Sequence, residues 1–255
     1  MRKLLLLLPI FCFFGQSIET QAASPTVLAE TTSIMDTSAV TTHVVQLPTS
    51  GSLASGDTML CAVGTDSGTS DMVLTWPAGW TVIAEEGDDG TPTTWLEIGW
   101  AESDGTESGS TFNITSSTSE QSAHNCYFIQ GGGDLGVGAE QPEAEIIGAN
   151  TDAPDPPSIS PTGGSKDYLV FAFASVNNRR NITGWPATYT NTGQERPTSS
   201  GGVTLGYGRL EVTAASEDPG TFAFTTATNT VAATVAIHPA AAANDDAGWR
   251  QRHSE

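Results

Sequence analysis

The chain is written twice, about 110 residues apart, and that duplication restricts its fold more than any other feature. Residues 56–66 (GDTMLCAVGTD) return as residues 166–176 (KDYLVFAFASV). Residues 75–81 (TWPAGWT) return as 184–190 (GWPATYT), and 95–102 (WLEIGWAE) as 204–211 (TLGYGRLE). Residues 110–115 (STFNIT) match 220–225 (GTFAFT), and 122–130 (SAHNCYFIQ) match 231–239 (VAATVAIHP). The offset stays at 109 or 110 throughout, so one structural unit is encoded twice.

Wherever the chain is apolar its period is two. Met59, Cys61 and Val63 alternate with Leu60 and Ala62, and Leu169, Phe171 and Phe173 alternate with Val170 and Ala172. Phe222 and Phe224 share a face, as do Val231, Ala233, Val235 and Ile237. Thr and Val favour a pleated, half-buried surface. No stretch carries a stripe of period 3.6. Gly, Pro, Asp and Ser punctuate the chain every 8 to 15 residues, the spacing of sandwiches and barrels. The expected class is all-β: two homologous antiparallel β-sandwich units, jelly-roll or Ig-like, either in tandem or merged into one pseudo-symmetric sandwich. The expected boundaries are 1–22 for a signal peptide, 23–138 and 139–240 for the two units, and 241–255 for a disordered tail.

The first residues read as an export signal: Arg2 and Lys3, then an apolar run over 4–14, then small residues up to Ala22 and Ala23. That run is shorter than the roughly 20 residues that span a bilayer. A secreted, periplasmic or cell-surface product without a later membrane span is expected. Acids outnumber bases 29 to 9, for a formal net charge of −20. Such a field repels nucleic acid and anionic lipid. Cys61 and Cys126 align with Phe171 and Val235, core positions of the other repeat, so both are expected to point inward. They can pair in an oxidising compartment or pack as small hydrophobes.

Function is expected at positions the repeats do not share. Trp76 and Trp80 have aromatic counterparts in Trp185 and Tyr189 and read as core. Trp95 has Thr204 as its counterpart, and alternation sets Trp95 and Glu97 on the face opposite Leu96, Ile98 and Trp100. An outward Trp95 beside Glu97 is the candidate ligand-stacking site. Asp66, Asp71, Glu86, Asp88 and Asp89 crowd two turns, where oxygen ligands suit calcium, the one cofactor suggested. The glycines of residues 131–136 open no helix and bind no dinucleotide. His43 precedes a strand, His124 lies on one, His238 ends one and His253 lies in the tail. No nucleophile elbow and no paired metal-binding histidines accompany them.

Taken together, residues 56–66, 76–83 (WPAGWTVI), 94–105 (TWLEIGWAESDG), 111–115 (TFNIT), 126–132 (CYFIQGG) and 231–239 resemble a loose group of two-part Thr/Gly-rich β proteins. Its members occur among bacteriophage structural genes and among secreted proteins of aquatic bacteria. The resemblance implies a fold and no catalytic residues. Three functions follow as expectations: an exported non-enzymatic protein for surface attachment or glycan binding, a virion structural protein of tail or capsid surface, and a secreted polysaccharide-acting enzyme.

Overall fold

A computed structural model describes residues 24–31, 34–36, 38–66, 72–88, 93–132, 141–196, 201–226 and 228–240. All belong to one compact unit, Ala23–Ala241. The export signal, the 138/139 boundary and the tail lie outside the described residues. The described chain is all-β, with no helix.

Residues of the first repeat supply two antiparallel sheets. One has the order β1 (Thr26–Glu30), β9 (Ser122–Gln130), β4 (Ser55–Thr65), β7 (Trp95–Asp104), β6 (Thr81–Gly87), with β2 (Ile34–Met35) also pairing β9. The other has the order β3 (Val40–Gln46), β8 (Thr111–Glu120), β5 (Leu74–Thr75). In the second repeat the order is β10 (Glu143–Thr151), β16 (Thr228–Ile237), β11 (Lys166–Asn177), β14 (Val203–Ala214), β13 (Thr190–Glu195). A smaller sheet joins β12 (Ile182–Gly184) to β15 (Ala223–Phe224). The five-stranded paths correspond strand for strand.

The outer layer of the second repeat is thinner for a chemical reason. Residues 152–161 run where β3 runs in the first. Asp152 and Pro154 accept the N–H groups of Phe224 and Phe222 at 2.8 and 2.9 Å, and Ile159 bridges Glu217. Pro154, Pro156, Pro157 and Pro161 remove donors and break the ladder.

The two five-stranded sheets bury one apolar face against each other. Leu60, Ile98, Trp100, Tyr127 and Ile129 from the first meet Leu169, Phe171, Phe173, Leu205, Val235 and Ile237 from the second in one cluster. Tyr127 and Phe171 lie 4.6 Å apart, ring centre to ring centre. Each sheet's other face packs on its own small sheet. Met59, Cys61, Val63, Ile114 and Phe128 fill the first interior, and Tyr168, Val170, Ala172, Phe222 and Phe224 the second. The central strands β4 and β11 are therefore buried on both sides, which is why they read as near-continuous apolar runs.

This arrangement corrects the residue matching. Cys61 and Phe171 correspond by letter, yet Cys61 faces the first interior and Phe171 the shared core. Phase by face pairs Leu60 with Phe171. The ladder agrees, since Leu60 opposes Tyr127 and Phe171 opposes Val235, all four in the shared core. A one-residue slip exchanges the faces of a strand. When both faces are apolar, letters alone do not reveal the slip.

Candidate functional site

The aromatic edge of the first repeat is built from three strands and a turn. Residues 76–80 link β5 to β6; Trp80 N–H donates to Pro77 O at 3.3 Å, and Gly79 takes a φ of +93° that favours glycine. Trp76 returns over β7, where Gly99 leaves room: a Cβ there would lie 2.6 Å from the indole. Trp80 stacks on Phe112 of β8 at 4.6 Å, and Trp76 lies 5.4 Å from Trp80. Trp76, Trp80, Trp95 and Phe112 are all half-buried against the first interior.

Glu97 is the polar centre of this edge. Alternation along β7 places Trp95, Glu97 and Gly99 on one face, as expected, but that face looks inward and not to solvent. The expectation of an outward Glu97 is corrected on this point: the sheet β3-β8-β5 covers it, and Glu97 is only 1 % exposed, while Trp95 packs partly against that interior and stays half-buried. Its two oxygens accept the indole N–H groups of Trp76 at 2.8 Å and Trp95 at 3.1 Å. Burial raises its pKa to about 7, helped by the charge of Glu85 on β6 and opposed by the two indole donors. Its carboxyl therefore exchanges a proton near neutrality while fixing two rings.

A second polar group sits where β2, β3, β8 and β9 meet. His43, within β3 and not ahead of it, points inward and is fully buried. Its Nδ1–H donates to Asp36 Oδ2 at 2.8 Å, and its Nε2 lies 2.9 Å from Ser116 Oγ. Ser122 Oγ–H also donates to Asp36, at 2.9 Å. Burial acts to raise the Asp36 pKa, but the hydrogen bonds from His43 and Ser122 outweigh it and hold the carboxyl below its usual value. Serine, histidine and aspartate thus occur in the contact order of an acyl-transfer relay. The chemistry of that relay is undercut here. Ser116 is buried on a strand, and its hydroxyl donates to Thr118 O at 2.6 Å. The group acts as an internal clamp between strands. His124 of β9 lies on the same side, 1 % exposed, with no partner for either ring nitrogen among the described residues; burial pushes its pKa down to about 4. Sequence reasoning missed this cluster because Ser116 is 73 residues from His43. The available signal was the inward phase of His43 between outward Thr42 and Val44.

Of the acids proposed for calcium, Asp66, Asp88 and Glu86 each accept backbone N–H groups on one oxygen. Asp66 Oδ1 accepts Gln121 N–H at 2.5 Å; burial raises its pKa to about 6, the Gln121 bond opposes this, and the Glu120 charge adds to it. Asp88 Oδ1 accepts the N–H groups of Thr93 at 2.5 Å and Thr94 at 2.7 Å. Exposed Glu86 accepts Gly87 N–H at 3.1 Å. Asp71 and Asp89 lie outside the described residues. Among the described residues no group of three or more His, Cys, Asp or Glu side chains is placed to hold a metal ion. Cys61 and Cys126, opposite one another on β4 and β9, are joined in a disulfide inside the first interior.

No protein-family model, curated protein or solved structure matches the chain.

Proposed function

We propose that the chain is an exported, non-enzymatic attachment protein that takes glycan at the aromatic edge of its first repeat. The observation that carries this reading is the cluster of Trp76, Trp80, Trp95 and Phe112, each keeping part of its surface open to solvent. Sugar rings pack on such faces, and rings fixed in advance lose little freedom on binding. Glu97 supplies the fixing by anchoring two indoles. The second repeat has Thr204 in place of Trp95 and Gly206 in place of Glu97, so the edge belongs to one repeat only. The strand order β1-β9-β4-β7 facing β3-β8-β5, repeated by β10-β16-β11-β14 facing residues 152–161, β15 and β12, is what supports a jelly roll in each half.

A glycan array with the full chain tests the reading. Binding is expected to fall at least tenfold in Trp80→Ala and in Trp95→Ala, with the fold retained by circular dichroism. A strong hit that both variants keep removes the edge from the site. Release of reducing sugar from the bound glycan contradicts the non-enzymatic reading. The jelly-roll order favours a second reading, a virion surface protein, because that architecture serves capsids as well as lectins. Mass spectrometry of purified particles tests it.

A further inference from the structure

Positive charge in this molecule is concentrated against its overall trend. Five bases fall among the described residues, namely Lys166, Arg179, Arg180, Arg196 and Arg209. Arg209 reaches across the shared core to Glu30 at 2.5 Å, and Lys166 opens β11 at the end opposite Asn177. Arg179, Arg180 and Arg196 gather where β11 ends, with no carboxylate paired to them among the described residues.

The backbone there is held in place. Asn178 adopts a φ of +68°, and its N–H donates to Gly202 O at 2.6 Å. The buried hydroxyl of Thr204 accepts Arg180 N–H at 3.0 Å and lies 3.1 Å from Asn178 O. Arg196 bonds the side-chain carbonyl of Asn181, and Ile182 N–H donates to Gln194 Oε1 at 3.0 Å. Two chain segments are thereby cross-linked, and Arg196 is set beside the Arg180–Asn181 turn. Arg179 is exposed and the other two are half-buried. The Nε–H of Arg180 is shielded from water and has no acceptor among the described residues. The guanidinium forks of half-buried Arg180 and Arg196 and of exposed Arg179 match a planar oxyanion.

We propose that Arg179, Arg180 and Arg196 form an oxyanion site that takes a carboxylate or sulfate group carried on a sugar. The oxyanion part stands on this geometry alone; the sugar part rests on the attachment reading. The net charge of −20 repels dense polyanions, so a sparsely charged sugar acid fits better than nucleic acid.

Calorimetric titration of the full chain at low ionic strength separates the sources. The probes are sodium sulfate, a galacturonic acid trisaccharide, the corresponding neutral galactose trisaccharide, and a short single-stranded DNA. Both sulfate and the acidic trisaccharide are expected to bind. Arg180→Gln and the exposed variant Arg179→Gln should each weaken both at least tenfold, while Lys166→Gln should change them less than twofold. Equal loss in Lys166→Gln, or no binding of either anion by the wild type, overturns the oxyanion site. Sulfate binding with the acidic sugar no better than its neutral counterpart keeps the oxyanion site and overturns the sugar. DNA binding tighter than the sugar acid overturns the sugar as well.

Discussion

At the scale of single residues, Glu97 and His124 give the first repeat two opposed pH responses. The pKa of Glu97 is raised from its ordinary 4.5 to about 7 in the folded chain. Its contribution to stability is therefore complete below 4.5 and is lost as pH rises through 7, an effect of about 3 kcal/mol at most. The pKa of His124 is depressed from 6.5 to about 4. Its contribution is complete above 6.5 and is lost as pH falls toward 4. Urea unfolding between pH 4 and 8 should resolve them. Glu97→Gln should abolish the part of the stability loss that develops as pH rises from 4.5 through 7, leaving the loss from Asp66, whose pKa is raised to about 6, and the His124 response on acidification. His124→Leu should remove the acid-side loss. It should also cost little or even stabilise at pH 7, because neither ring nitrogen gives up a hydrogen bond to any described residue. Unchanged pH profiles in both variants would contradict the assigned environments.

Among the strands, fit decides the outcome. Gly99 exists so that Trp76 can lie on β7, and Gly99→Ala forces the indole away. A loss of about 1–3 kcal/mol and a red-shifted tryptophan emission are expected, whereas Gly51→Ala, in open space, should do neither. The disulfide links β4 to β9 across 65 residues of chain. By the loop-entropy argument, replacing both cysteines with Ala should cost about 4 kcal/mol by denaturant titration. An unchanged midpoint would mean that the link constrains nothing. Much of this level was legible in the sequence. Period two marked β4, β11 and β16, and the turn around Gly79 was visible as Trp-Pro-Ala-Gly-Trp. Other features were not. The direction in which Trp95 and Glu97 face depends on a third sheet that no local pattern announces. The His43–Ser116 contact depends on β3 pairing with β8, a long-range register. The repeat was readable, but its phase was not, because β4 and β11 are apolar on both faces.

For the whole molecule, the claim that governs the rest is that the two repeats are not independent. Leu60, Tyr127 and Ile98 on one sheet and Phe171, Phe173 and Val235 on the other bury a single apolar layer. Neither sheet can present that face to water without exposing large side chains. Polar contacts cross the same boundary: Thr94 Oγ1 lies 3.0 Å from Ser175 Oγ, and Asn229 Nδ2–H donates to Thr93 at 2.7 Å. The aromatic edge and the arginine cluster are thereby carried on one body. Differential scanning calorimetry of residues 23–241 tests this most directly. One transition is predicted, with equal calorimetric and van't Hoff enthalpies, and Phe171→Ala should shift all of it downward. Two separable transitions, with only the second moved by Phe171→Ala, would contradict a shared core.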